Sequence, residues 1–320
     1  MSTLSIRSAM QPSANPYAMP VAFDFSADVG SGEQVLACAV AMSGFMLNYD
    51  ADSDYWAEEC GKASVNLVPN LVGNVLHVDG NVVLTDFDDD SARSTPGDDS
   101  PVSGAQITAI ALIDSADDGG FVVGNAFGMP SGQNSGPITV QGNTDNQVFI
   151  AGFSVEGQNG SASSIAGFSV GSSVGEPVQQ AVTVTGTVDL AEMSTTGSVD
   201  IGLLSVPAGG GHNFGLEPAA ITWGAPDGGN GMVGSLSATF DVPSGKRIAA
   251  AALLLESIDI VYEDTAEIQQ FSALPTGALE VAGSTVTGQF RLNMYNPDFG
   301  ARTYISSAST ASIFVIAQFA

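Results

Sequence analysis

Positive charge is almost missing from this chain: seven Lys and Arg stand against 34 Asp and Glu, giving a net charge of −27 over 320 residues. A surface of that sign repels phosphate, which excludes nucleic acid and anionic membrane faces as partners and favours cations. Acid-rich, Lys-poor surfaces also stay soluble where salt screens the repulsion, so the balance points to a saline medium. Cysteine is scarce as well. Cys38 and Cys60 are too few for a disulfide framework, and Cys38, inside an apolar run, reads as a small core residue. The two histidines, His77 and His212, make no zinc site without more ligands. No apolar stretch is long enough to cross a membrane as a helix. The opening MSTLSIRSAMQPSANPYAMPVAFDF lacks an apolar core of secretory-leader length, which predicts synthesis in the cytoplasm without a leader. A phosphate-binding loop, a dinucleotide fingerprint and an Arg cluster are all lacking.

What remains is a β texture. The chain has 44% apolar residues, 13% charged residues and 38 Gly, with Ser, Thr, Val and Asn frequent, a composition that suits short strands joined by tight turns around sizeable cores. One passage is written twice. SGEQVLACAVAMSGFMLNY, from Ser31 to Tyr49, returns as SGKRIAAAALLLESIDIVY, from Ser244 to Tyr262. The apolar runs end in β-branched and aromatic residues, which predicts strands buried on both faces rather than helices. A second echo aligns LHVDGNVV (Leu76, Val78, Gly80, Val83) with LEVAGSTV (Leu279, Val281, Gly283, Val286), and each copy closes on an apolar strand, QITAIALID from Gln106 and SIFVIAQF from Ser312. Short helices are expected at most around Asp54 to Lys62 or Thr265 to Phe271.

The fold class expected is all-β, with tandem β-sandwich or jelly-roll-like modules, two of them internally duplicated. The division is a 1–19 N-terminal assembly arm, a 20–116 β module, a 117–233 middle β region and a 234–320 β module. The Pro/Ser/Ala-rich arm is expected to be tied down by a neighbouring subunit, or else to lie on its own chain. The middle carries IAGFSV twice, at Ile150 to Val155 and Ile165 to Val170, then the alternating strands QQAVTVTGTVDLAEM and GSVDIGLLSV. These strands either form a third sandwich or complete the two flanking modules.

Four patterns bear on chemistry. GFSVG around Ser169 meets the G-x-S-x-G pattern, with Asp200 and His212 following in triad order, but that elbow needs a strand before it and a helix after it, and here loop and strand follow. Asp50, Asp52 and Asp54 open like a calcium loop, since alternate carboxylates converge on a hard cation, while Tyr55 and Gly61 stand where an EF-hand needs Gly and Glu. A looser site of Asp50, Asp52, Asp54 and Glu58 is expected. A denser patch is Asp86, Asp88, Asp89 and Asp90, and Asp114, Asp117 and Asp118 form a third acidic turn. Ca²⁺ is the cofactor these loops suit. Trp56, Trp223 and His212 are candidate ligand or interface residues, because rings in loops stack on sugars or anchor contacts.

In texture and duplication, over residues 20 to 320, the chain resembles virion structural proteins of jelly-roll or tandem β-sandwich type, particularly those of marine phages; no diagnostic motif carries over. The resemblance implies a non-enzymatic capsid, decoration, tail or fibre component, associating with itself and with other structural proteins through β edges and its arm, and located in a virion or comparable extracellular assembly. The modules also resemble H-type lectin domains, which implies a glycan- or receptor-binding sandwich as the alternative.

Overall fold

Gln34–Asn48, QVLACAVAMSGFMLN, is buried along both faces, and a strand of that kind needs a layer on each side. The computed structural model describes residues 2–13, 18–48, 59–85, 103–114, 120–140, 145–158, 163–207, 212–226, 231–266, 268, 270–295 and 305–320. Among them the protein is all-β, with antiparallel pairing throughout and no α-helix. Of the second stretch expected to allow a short helix, Thr265, Ala266, Gln270 and Phe271 are strand instead.

The strands fall into three successive courses. The first comprises β1 (Thr3–Pro12), β2 (Val21–Asp24), β3 (Gln34–Asn48), β4 (Lys62–Val72), β5 (Val75–Thr85) and β6 (Gly104–Asp114). The second comprises β7 (Val122–Pro130), β8 (Ile138–Thr139), β9 (Asp145–Gly157), β10 (Ile165–Val174), β11 (Ala181–Val182), β12 (Val184–Ala191) and β13 (Thr195–Val206). The third comprises β14 (Phe214–Pro218), β15 (Ala220–Trp223), β16 (Gly231–Thr239), β17 (Ile248–Ala266), β18 (Gln270–Pro275), β19 (Glu280–Ala282), β20 (Thr285–Tyr295) and β21 (Thr310–Phe319).

Each course makes the same pairings. A long strand pairs with the closing strand: β3 with β6, β9 with β13, β17 with β21. The closing strand pairs on its other side with an outer strand, β1, β7 or β14. Between long and closing strands runs a hairpin, β4/β5, β10/β12 or β18–β19/β20, flanked by a short strand, β2, β8 or β16. Registers agree in detail. A matching bulge interrupts each long strand at Ser43, Ala151 or Glu256, just past the pairs Met42–Ile107, Ile150–Ile201 and Leu255–Ile313, and β3 and β17 carry a second at Leu36 and Ala249. The same backbone bond ties the residue after each short strand to the hairpin turn: Phe25 N–H to Asn74 O at 2.9 Å, Val140 N–H to Gln180 O at 2.8 Å, and Phe240 N–H to Ser284 O at 2.9 Å.

The courses are not laid side by side as closed units. The hairpin of each pairs with the long strand of the next: β4 with β9, β10 with β17, and β18 back to β3. That last seam closes a ring. The result is three main sheets, β2-β5-β4-β9-β13-β7, β12-β10-β17-β21-β14 and β1-β6-β3-β18-β20-β16-β15, each drawing strands from two courses. One buried cluster lies where all three courses meet and takes its residues from matching positions: Leu4, Phe121 and Phe214, then Ile110, Leu204 and Ile316, then Ala41, Phe149 and Leu254. The larger cluster fills the sandwiches and contains Phe45, Phe153 and Phe168, one from each sheet, with ring centroids 5.1 to 5.9 Å apart. Such ring pairs add about 0.5–1.5 kcal/mol beyond the area they bury.

One expectation meets a different arrangement, and for another the stated alternative is the one seen. Thr3–Pro12 of the presumed arm is held by its own chain, paired over all ten residues with β6, because its alternating apolar side chains Leu4 and Ile6 enter the shared cluster. The second echo is out of register: Gly80 lies within β5, whereas Gly283 sits in a turn at φ 64°, and the turn glycine matching it is Gly73 at φ 61°. The two IAGFSV stretches lie in different elements, the first in a long strand and the second in a hairpin.

Candidate functional site

The predicted cation residues Asp50, Asp52, Asp54, Glu58, Asp86, Asp88, Asp89 and Asp90, together with Trp56, Asp117 and Asp118, lie outside the described residues. Among the described residues no cluster of three or more His, Cys, Asp or Glu could hold a metal ion. Asp114 is buried and accepts a hydrogen bond from Ser2 Oγ at 2.8 Å.

The aromatic candidates sit against the core. Trp223 is half-buried at the end of β15, opposite Gly234, where a methyl group would come within 2.7 Å of the indole. His212 packs edge-on to Phe121 and tilted on Phe214, at centroid distances of 5.3 and 5.6 Å, with Nε2 3.3 Å from Pro207 O. It borders the cluster where the courses meet. His77 is exposed on β5, as its alternating strand implies.

The triad order does not become a triad. Gly167 to Gly171 is the middle of β10, paired on both sides, so Ser169 has no elbow to lift it. Asp200 belongs to another sheet, where its carboxylate accepts the Gly128 N–H at 2.6 Å; burial raises its pKa above the ordinary 3.8, and that bond opposes the rise. Both cysteines are free thiols pushed up to about 12 by burial, the wrong direction for nucleophiles.

The outward features are edges and ends. The outer strands β1, β7 and β14 lie at sheet edges, and each ends on proline, at Pro12, Pro130 and Pro218, which stops further pairing there. At one end of the ring are the three hairpin turns. Gly73–Asn74 and Gly283–Ser284 turn the first and third with a left-handed glycine; in the second, Gln179 and Gln180 take φ 50° and 65° without a glycine. The turn before β3 lies at this end too, since Val35 N–H donates to Asn74 Oδ1 at 3.2 Å, and the turn before β17 follows Phe240, whose N–H is bound to Ser284 O. Here Ser31-Gly32-Glu33-Gln34 of the first course corresponds to Ser244-Gly245-Lys246-Arg247 of the third, with the glycines at φ 82° and 81°. Charge is reversed between them. On the flank of the third course lies a groove of about 710 Å³, lined by Thr222, Ser235, Ser237, Thr287 and Gln289, with Glu280 as its one carboxylate.

No protein-family model matches the chain, and no curated protein matches it in sequence. Among the described residues no helix is long and apolar enough to cross a membrane. The sequence pattern missed the second course because its long strand, DNQVFIAGFSVEG, shares no turn motif with the other two; the signal that could have found it is the hydrophobic spacing around the bulge, Phe149 and Phe153 matching Ala41 and Phe45.

Proposed function

We propose that the chain is a non-enzymatic structural subunit of a self-assembling particle, a virion or comparable appendage, and that its three courses are copies of one module. The ring closed by β18 on β3 carries this reading. Three units that each lend a hairpin to the next make a prebuilt block with repeated edges and ends, a form suited to tiling rather than to shaping one catalytic cleft. The shared register, down to the bulge, supports common origin of the courses.

Association brings acidic surfaces together, so cations are part of the proposal: Ca²⁺ in the acidic loops, and salt to screen the remainder. Mass photometry with negative-stain imaging tests it, at high salt with Ca²⁺ and after EDTA in low salt. Large regular particles that fall apart on chelation are expected. A stable monomer in both conditions, with a positive glycan array, would move the assignment to a glycan- or receptor-binding sandwich, for which the hydroxyl-lined groove beside β15 is the place.

A further inference from the structure

We propose that the subunit meets a second copy of itself through the end of the ring that carries the three hairpin turns, an inference that rests on the structural-subunit reading above. Single exposed valines are ordinary on a protein surface. Here they recur. Val72, 58% exposed, and Val178, 69%, stand at the same position just ahead of their turns, and Val281, 46% exposed, stands one residue earlier in the third hairpin, on its other face. Ring closure places these three tips at the same end of the molecule.

Two further observations point to the same end. Gln179 holds left-handed backbone where the sister turns use glycine, and Gln180 holds it where they carry Asn74 and Ser284, and non-glycine strain of that kind collects where a surface is used. Lys246 and Arg247 stand exposed and adjacent, in no ion pair with the described residues, within a chain of seven bases. Arg7 and Lys62, by contrast, are bound to Asp28 and Glu156.

Charge complementarity selects the occupant. The tip end carries Asp24, Glu176 and Glu280 exposed, with Glu33 at the position equivalent to Lys246. A second copy brings both signs to the contact: across a twofold axis the basic turn of one copy lies on the acid-bearing tips of the other, and the reverse holds at the symmetric place. The valines then meet at the centre, where apolar contact is most effective. Net repulsion between two chains of charge −27 sets the condition, so the contact strengthens with salt until the ion pairs themselves are screened.

Sedimentation velocity on the full chain, over a salt series, tests this. The triple variant Val72→Asp, Val178→Asp, Val281→Asp changes exposed positions only, and Lys246→Glu with Arg247→Glu reverses the turn; circular dichroism checks that both fold. Each is expected to raise the dissociation constant by at least about tenfold, the size of one lost anchor. Adding Glu176→Lys and Glu280→Lys to the reversed turn is expected to restore association. Wild type and both variants associating equally would overturn the tip contact while leaving the structural-subunit reading in place. A wild type monomeric at every salt concentration would overturn both.

Discussion

At the residue scale, Asp200 shows how a polar side chain is held inside a sheet. It lies opposite Gly152 across the β9–β13 pair, and its Oδ2 comes so close that a methyl group at Gly152 would lie 2.8 Å from it. The Gly128 N–H satisfies the other oxygen, with Gly128 at φ 62°, a conformation that suits the residue only because it has no Cβ. Desolvation raises the folded pKa above 3.8. A raised carboxyl contributes stability in its protonated form, present below the unfolded value and lost as pH rises through the folded one. Asp200→Asn keeps an acceptor for Gly128 and removes the buried charge. Its Tm is therefore expected to exceed that of the wild type at neutral pH, with the gap closing as pH falls through the raised folded value and gone by about 3.8. A gap unchanged across that range would show that Asp200 does not titrate with folding.

At the element scale, the seams between courses depend on small residues at one position. Gly44 on β3 lies beside Leu274 just past the last β18 pair, Gly152 on β9 lies beside Asn66 just past the last β4 pair, and on β17 the matching residue is Ser257, which pairs with Gly171. A methyl group at Gly44 would lie 2.5 Å from Ala273 O, and one at Gly152 2.7 Å from Val65 O, both too close for real contact. At Gly171 the nearest atom would be Ser257 Cβ at 3.4 Å, an ordinary approach. Gly44→Ala and Gly152→Ala are each expected to cost about 1–3 kcal/mol, as overpacking does, while Gly171→Ala stays near neutral. Urea midpoints at constant slope measure this; equal tolerance at all three positions would remove glycine from the seam argument. Much at this scale was legible in sequence. The alternation of VTGTVDLA appears as a strand with alternate residues buried, and the runs in β3 and β17 are buried along most of their length. The second echo misled because two glycines with different duties, one in a strand and one in a turn, look alike in one-letter code.

At the scale of the whole molecule, hairpin exchange makes the three courses one folding unit. No course can leave without removing a strand pairing from each neighbour: β4 from β9, β10 from β17, β18 from β3. Differential scanning calorimetry is expected to give a single transition whose calorimetric and van't Hoff enthalpies agree, although the chain is longer than most two-state domains. Separate transitions would mean that the seams are weaker than the sandwiches. The shared cluster shows how different residues fill matching positions of the three courses. Phe149, matching Ala41 and Leu254, fits because its cross-strand partner is Gly202, where even a methyl group would collide with the ring at 1.8 Å.

The sequence by itself determined the all-β class, the extent of the longest strands and the acidity, because these follow from residue type and period, which act locally. The acidic loops and Trp56 were also named from sequence, but they lie outside the described residues. Only the tertiary structure decided that the middle third runs the same course, that hairpins cross to the next unit, that β1 belongs to its own chain and that Ser169 has no elbow. Those are matters of which backbone pairs with which, and the N–H and C=O groups that make the pairing are the same in every residue except proline.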